Sequence, residues 1–111
     1  MKLYVYATIL AVACVQTIGA TVTAYCACRK CCGKWSAAGI TARGAKPRAG
    51  FTAAGPRNIR LGTRVYIEGI GMRVVEDRTA RRFDGTWEIF FHKHSEAKQF
   101  GRQQRKVTIL K

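Results

Sequence analysis

Residues 59–110 decide the fold and read IRLGTRVYIEGIGMRVVEDRTARRFDGTWEIFFHKHSEAKQFGRQQRKVTIL. Polar and apolar residues alternate in residues 64–67, and a second strand pattern at 72–76 follows a Gly-Ile-Gly turn, which predicts a hairpin. Strand patterns recur at 87–91 and 107–110, with a short helix between them that Ser95 begins and Gly101 ends. Short strands at this spacing predict a small closed barrel.

The chain before this stretch supplies two further strands. Residues 21–25 alternate in polarity and are rich in β-branched side chains, and residues 51–54 form a short strand pattern before a Gly-Pro turn. Residues 33–50 are rich in turn-forming residues and are predicted to be a loop. We therefore expect an all-β domain over residues 21–111, built as a six-stranded barrel with one short helix.

The first twenty residues are predicted to be a segment separate from the barrel. Lys2 precedes an uncharged, largely apolar run that ends with a small residue at Ala20, which is typical of a secretory signal peptide. A membrane anchor through residues 3–20 is a second interpretation, because ~20 apolar residues span a bilayer. Lipidation of Cys14 is a third. Each interpretation predicts an exported protein of the periplasm, the cell wall or the extracellular space.

Four cysteines follow the first predicted strand, at Cys26, Cys28, Cys31 and Cys32. In an exported protein we expect disulfides, pairing 26–31 with 28–32 or 26–32 with 28–31, since a bridge between adjacent cysteines is strained. Free thiols and a thiolate metal site are alternatives, because Cys28 and Cys31 have the spacing of metal ligands. No second Cys or His pair stands at a zinc-ribbon distance, so we predict neither a metal nor a cofactor.

The formal net charge of +14 indicates an anionic partner. The basic residues are scattered over loops and strand ends, which argues against a dedicated nucleic-acid-binding arm. Peptidoglycan and anionic wall polymers are the expected partners, and a membrane is expected only through the N-terminal segment. A basic surface that merely keeps a small protein soluble is the alternative.

Two carboxylates stand within strand patterns of this basic chain. Asp77 ends the strand at 72–76, and Glu88 lies between Trp87 and Ile89. An acid beside an apolar strand is a candidate for chemistry. The alternatives are that Asp77 caps a turn or pairs with an arginine, and that Glu88 faces solvent.

Seven segments carry a resemblance to a known family. They are Thr-Ala-Tyr-Cys at 23–26, Gly-Ile-Thr-Ala at 39–42, Ile-Arg-Leu-Gly-Thr-Arg-Val-Tyr-Ile at 59–67, Glu-Asp at 76–77, Ile-Phe-Phe at 89–91, Glu-Ala at 96–97 and Phe-Gly at 100–101. In this order they resemble the three-aspartate (3D) domain, which is found in resuscitation and spore cell-wall proteins and is related to membrane-bound lytic murein transglycosylase A. The resemblance implies a double-psi β-barrel over residues 21–110. It also implies cleavage of peptidoglycan strands without water, which leaves 1,6-anhydro-muramyl ends.

Of the family's three aspartates, this chain keeps one. Asp77 matches the second, Glu88 stands in place of the third, and Gly55 stands in place of the first. The resemblance makes Asp77 the group that acts as acid and then as base, with Glu88 as its helper. It makes Thr41 a groove residue. Gly55 and Arg78 are further substrate-binding candidates.

The expected function is therefore a small lytic transglycosylase acting on peptidoglycan. Trp35, in the loop after the cysteines, is a further substrate-binding candidate because an indole can stack on a sugar ring. His92 and His94 are expected to lie at the surface or at the helix entry. The alternative function is a wall-polysaccharide-binding barrel without catalysis, similar to expansins, and the loss of the first aspartate favours it.

Overall fold

The computed structural model describes residues 15–32 and 39–110 as a closed barrel. Its strands, in chain order, are β1 (Gln16–Tyr25), β2 (Thr52–Gly55), β3 (Arg64–Ile67), β4 (Gly71–Arg78), β5 (Trp87–Phe90) and β6 (Gln103–Ile109). The described residues also contain two α-helical segments, α1 (Arg29–Cys32) and α2 (His94–Phe100), and one 3₁₀ turn at Arg81–Phe83. The predicted six-stranded barrel with its short helix α2 is confirmed, and α1 is an additional single turn.

The strands lie in the order β1-β5-β2-β4-β3-β6 around the barrel. Two neighbouring pairs are parallel, β1 with β5 and β2 with β4, and the other pairs are antiparallel. Strand β2 lies between β5 and β4, although it precedes both in the chain. This mixed, interleaved order agrees with the double-psi expectation, and it brings the ends of β4 and β5 to either side of β2.

The barrel interior is filled by aliphatic residues around one indole. The buried cluster consists of Val22, Val65, Ile67, Val75, Trp87, Ile89 and Val107. Full burial of such a side chain contributes ~1.5–3 kcal/mol, so this cluster supplies most of the apolar stabilisation of so small a domain. Because successive strand residues point to opposite faces, residues between these core positions face away from the interior.

Strand β1 is longer than the sequence predicts. It begins at Gln16, and residues 16–22 pair with residues 103–109 of β6. Ile18 and Ala20 pack against the core cluster, so part of the apolar composition that suggested a leader serves the barrel. Residues 1–14 of the segment predicted to be a signal or anchor (1–20) lie outside the described residues, while residues 16–20 belong to β1. Within the described residues, no helix is long and apolar enough to cross a membrane.

The N-cap of helix α2 lies two residues before the predicted one, Ser95. Lys93 occupies the N-cap position without a capping side chain, and Ser95 therefore lies inside the first turn. Gly101 ends the helix with φ 69°, as its sequence position indicated, because glycine adopts positive φ without strain. The first residue of α2 is His94, whose side chain contacts the cysteines that follow β1.

Candidate functional site

Four residues form a row across neighbouring strands on one face of the barrel. Thr23 of β1 pairs with Glu88 of β5, Glu88 pairs with Ala54 of β2, and Ala54 pairs with Asp77 of β4. Residues directly opposite each other share a face of the sheet. Glu88 alternates with the core residues Trp87 and Ile89, so the row lies on the outer face. We call these four residues the carboxylate row.

A β-bulge in β4 sets the direction of Asp77. Ala53 pairs with Val75, but its neighbour Ala54 pairs with Asp77, so Glu76 is an extra residue in β4. Without the bulge, Asp77 would share the inward face of Val75 two residues before it. The extra residue instead places Asp77 beside Ala54 and Glu88. A bulge that re-aims a side chain is common next to functional sites.

Three hydrogen-bond donors hold the Asp77 carboxylate. The Tyr25 hydroxyl donates to Oδ2 at 3.0 Å, while the N–H groups of Ala42 and Arg78 donate to Oδ1 at 3.1 and 2.9 Å. An ionised carboxylate can only accept hydrogen bonds, so this environment suits its charged form. A small pocket opens beside it, lined in part by Tyr25, Ile40, Pro47 and Asp77.

Glu88 lies in different surroundings from Asp77. It is half-buried, and burial raises its pKa to about 6, with the negative charge of Asp77 as the second cause. The neighbouring Thr23 hydroxyl lowers the pKa in part. The backbones of Glu88 and Asp77 are two strand spacings apart, about 10 Å, with Ala54 between them. Ala54 itself is buried, and it packs in a cluster with Tyr25 and Phe90.

The loop before β2 is tied to β4 through the bulge residue Glu76. Glu76 is buried, accepts a hydrogen bond from the Thr52 hydroxyl at 2.7 Å, and lies 3.5 Å from the Arg43 guanidinium. The Arg43 N–H also donates to the Glu76 carbonyl at 2.9 Å. These contacts position Ala42, whose N–H reaches Asp77. The bulge therefore orients Asp77 and also positions the loop that contacts Asp77.

Two predicted substrate-binding residues have other contacts. Thr41 is buried, and its hydroxyl accepts a hydrogen bond from the Ala45 N–H within its own turn, so the contact with Asp77 comes from the next residue's backbone. Arg78 contacts Asp77 through its N–H, while its guanidinium donates to the carbonyl oxygens of Gly55 and Pro56. The structure therefore gives both residues a supporting role around Asp77.

Gly55, a predicted substrate-binding residue, lies on the inward face of β2. A Cβ at this position would lie 3.0 Å from Val75 Cγ1 and 3.2 Å from the Trp87 ring, which are core atoms. Position 55 therefore faces the barrel interior, because it alternates with Ala54 of the carboxylate row. Gly55 contributes a carbonyl oxygen to Arg78 but no side-chain position in the row. Trp35, the remaining substrate-binding candidate, lies outside the described residues.

Three of the four cysteines after β1 form a cluster with His94, the first residue of α2. Cys26, Cys28, Cys31 and Cys32 are all free thiols in the structure, so the predicted disulfides are not formed in it. His94 lies at the entry of α2, one of the two positions expected for it, and its ring also lies against Cys26, Cys28 and Cys31. Burial raises the pKa of the Cys32 thiol to about 11, with the Asp77 charge as the second cause.

Sequence reasoning identified the two carboxylates but missed two hydrogen-bond donors to Asp77 and the contact of His94 with the cysteines. Tyr25 stands 52 residues before Asp77, and the Ala42 N–H has no side-chain signal at all. His94 stands more than sixty residues after the cysteines it contacts. The alternation that places Tyr25 on the same strand face as Thr23 was the one available signal for these contacts.

The chain has a measurable likeness to a cell-wall protein. It is 31% identical over 88 residues to a protein of Bacillus subtilis (strain 168) provisionally named cell wall shaping protein YabE. The aligned part is 79% of this chain and 21% of that protein, so the chain spans about a fifth of its relative. No protein-family model matches the chain. The likeness points to proteins of the cell wall, and the relation to the three-aspartate domain stays a prediction.

Proposed function

We propose that this chain acts on peptidoglycan outside the cytoplasm and cleaves its glycan strands as a lytic transglycosylase. The observation that carries the proposal is the carboxylate row, in which two acids with different surroundings share the outer face of the barrel. Acids whose environments differ in this way are typical of acid–base catalysis. The similarity to a cell wall shaping protein and the net charge of +14 support a wall polymer as the substrate.

In the proposed mechanism Glu88 acts first as acid and then as base. Its pKa of about 6 keeps part of the population protonated near neutral pH. Glu88 donates its proton to the glycosidic oxygen as the bond from that oxygen to the anomeric carbon breaks. The sugar's own 6-hydroxyl then attacks the anomeric carbon, and the Glu88 carboxylate takes the hydroxyl proton. The anhydro ring closes, no water is consumed, and Glu88 is protonated again.

Asp77 supplies negative charge to the transition state in this mechanism. Cleavage of a glycosidic bond passes through a state with positive charge on the ring oxygen and the anomeric carbon. The donors from Tyr25, Ala42 and Arg78 fix the Asp77 carboxylate in place before the substrate arrives, so no reorganisation is needed during the reaction. This assignment exchanges the two roles that the family resemblance implies, because the raised pKa belongs to Glu88.

Digestion of purified sacculi tests the proposal. The full chain should release products lighter by one water than the hydrolytic muropeptides, as read by mass spectrometry. Glu88→Gln and Asp77→Asn should each lower the release at least ~100-fold, which is the lower range for loss of an acid–base group and of a preorganised electrostatic group, respectively. Glu68→Gln is the matched control, since Glu68 is exposed on the turn after β3. Products of hydrolytic mass, or equal release by all four proteins, would contradict the mechanism.

A wall-binding barrel without catalysis is the second candidate function. The family resemblance favours it, because Gly55 stands where the three-aspartate pattern has its first aspartate. With a net charge of +14, binding to anionic wall polymers would weaken as salt screens the attraction. This candidate predicts that all variants sediment with sacculi, release no products, and dissociate in high salt. Soluble anhydro products from the wild-type chain would eliminate it.

A further inference from the structure

Three thiols and one imidazole meet where β1 ends and α2 begins. The Cys26 Sγ lies 3.0 Å from the Cys28 Sγ and 3.5 Å from the Cys31 Sγ. The His94 Nδ1 lies 3.6, 3.3 and 3.5 Å from the sulfurs of Cys26, Cys28 and Cys31 respectively. All four ligand atoms lie within 4.8 Å of one another. One atom can therefore touch all four at once.

These separations match the edges of a tetrahedral metal site. Zinc binds thiolate sulfur at ~2.3 Å and imidazole nitrogen at ~2.0 Å, so ligand atoms at tetrahedral corners lie roughly 3.5–3.8 Å apart. Four of the five distances above fall at or within a few tenths of an ångström of this range. The shorter separation of Cys26 and Cys28 is the edge that would open most when an ion enters. Three thiolates and one imidazole are a common donor set for zinc.

The position of Cys32 argues against both expected disulfide pairings. Each pairing needs Cys32, but the Cys32 thiol is turned away from the cluster and donates to the Cys26 carbonyl oxygen at 3.2 Å. Cys32 packs instead against the cluster of Tyr25, Ala54 and Phe90. The remaining three thiols cannot pair among themselves without leaving one thiol and His94 unused. A metal ion uses all four groups.

We propose that Cys26, Cys28, Cys31 and His94 bind one Zn²⁺ ion in a closed, structural site. Four protein ligands leave no open position for water or substrate, which distinguishes a structural from a catalytic zinc. The turn α1 supports this arrangement, because the Cys31 and Cys32 N–H groups donate to the Cys28 carbonyl and hold the Cys-x-x-Cys segment in a tight loop. The site does not depend on the proposed activity.

The proposed ion would join two elements that meet the carboxylate row. Cys26 directly follows Tyr25, whose hydroxyl holds Asp77, and His94 begins the helix after β5, which carries Glu88. Fixing Cys26 to His94 therefore fixes the end of β1 relative to the end of β5. A small barrel that buries only ~60% of its unfolded surface benefits from such a link.

The chain offers matched controls for each type of ligand. His92 lies two residues before His94 and packs edge-on against Phe90, 5.5 Å away between ring centres. His92→Ala therefore removes an imidazole from the same segment without touching the cluster. Cys32→Ser removes a thiol adjacent to the ligand Cys31. The matching test variants are His94→Ala and Cys31→Ser.

Metal content of the full chain tests the site directly. Each protein is purified with a phosphine reductant, supplied with excess Zn²⁺, desalted and measured by elemental mass spectrometry. We expect one zinc per chain in the wild type, His92→Ala and Cys32→Ser, and a loss of bound zinc in His94→Ala and Cys31→Ser. A wild-type chain without zinc would overturn the proposal, as would zinc that His94→Ala and Cys31→Ser retain.

Cobalt replaces zinc as a spectroscopic probe that does not depend on how well the variants fold. Co²⁺ added to the reduced wild-type chain should give thiolate charge-transfer bands and the intense visible bands of tetrahedral coordination, saturating at one equivalent. Zn²⁺ should then displace the cobalt and abolish both the charge-transfer bands and the visible bands. Weak octahedral bands without thiolate absorption would overturn the proposal. The proposal would also be overturned if the chain purified in air had the mass expected for two disulfides and a chelator did not change its melting temperature.

Discussion

At the scale of single residues, the two acids of the carboxylate row differ because of what surrounds each carboxyl group. Asp77 receives three donors, including the Tyr25 hydroxyl, whereas Glu88 is half-buried beside the Asp77 charge. Burial and a nearby like charge both disfavour ionisation of a carboxyl group. The same two effects that prepare Glu88 as an acid also make its ionised form costly to the fold.

Ionisation of Glu88 should therefore lower the free energy of unfolding as the pH rises. Its folded pKa of about 6 lies above the ordinary value of 4.5, so the folded state binds more protons than the unfolded state between these values. Stability is fully present below pH 4.5 and is lost as the pH rises through about 6, by up to about 2 kcal/mol. Denaturant unfolding at several pH values should show this decline in the wild type. Glu88→Gln should flatten it, and an unchanged slope would contradict the assignment.

Tyr25→Phe should weaken the support of Asp77 while preserving the core. Phenylalanine keeps the edge-on contact with Phe90 but loses the hydroxyl that donates to Asp77 at 3.0 Å. We expect a loss of about 1.5–3 kcal/mol in unfolding free energy, as for a hydrogen bond to a charged group. Product release from sacculi should fall about tenfold, a loss equivalent to about 1.4 kcal/mol in the transition state. Tyr66→Phe is the control, because Tyr66 is exposed on β3, and an equal loss there would contradict the account.

Gly55 should tolerate no side chain, for reasons of packing. Alanine would place its Cβ 3.0 Å from Val75 and 3.2 Å from Trp87, and overpacking of this kind costs ~1–3 kcal/mol. Gly55→Asp should be still less stable and should not increase sacculus digestion. Gly19→Ala on β1 is the matched control, since nothing lies within 4 Å of its added Cβ. A Gly55→Asp chain that is stable and more active would restore position 55 to the site.

At the scale of elements, the bulge in β4 connects strand pairing with the loop that reaches Asp77. Residues 59–76 could be interpreted from their alternation and glycine turns, and the hairpin of β3 with β4 is where the sequence predicted it. The bulge could not be predicted, because Glu76 and Asp77 look equivalent in a strand pattern. Only the pairing of Ala53 and Ala54 with β4 shows which of the two acids faces the row.

Thr52→Val tests whether the hydrogen bond from Thr52 to Glu76 holds the loop before β2 in place. Valine has nearly the same shape, but it leaves the buried Glu76 carboxylate without its 2.7 Å hydrogen bond. We expect a loss of ~1–3 kcal/mol in unfolding free energy, the cost of leaving a buried acceptor unsatisfied. Thr17→Val is the control, because Thr17 is an exposed strand residue. If both variants unfold at the same denaturant concentration as the wild type, Glu76 does not anchor the loop.

At the scale of the whole molecule, the barrel could be predicted more completely than its site. Short alternating strands and glycine turns indicated the number of strands, and the closed six-stranded barrel confirms it. The length of β1 was underestimated, because an apolar run near the N-terminus is typical of a leader as well as of a strand. The cluster around His94 could not be predicted, since no spacing rule relates a cysteine segment to a histidine more than sixty residues away.

The pH dependence of sacculus digestion, compared between the wild type and Glu88→Gln, is the decisive test of Glu88 as the acid. Release of soluble anhydro-muropeptides is measured for the wild type and Glu88→Gln, one unit below and one unit above the Glu88 pKa of about 6. We predict that wild-type release per bound protein falls about tenfold at the higher pH, as the acid loses its proton, and that Glu88→Gln releases nothing at either pH. Equal release by the two proteins, or no release by a wild-type chain that still sediments with sacculi, would contradict the account.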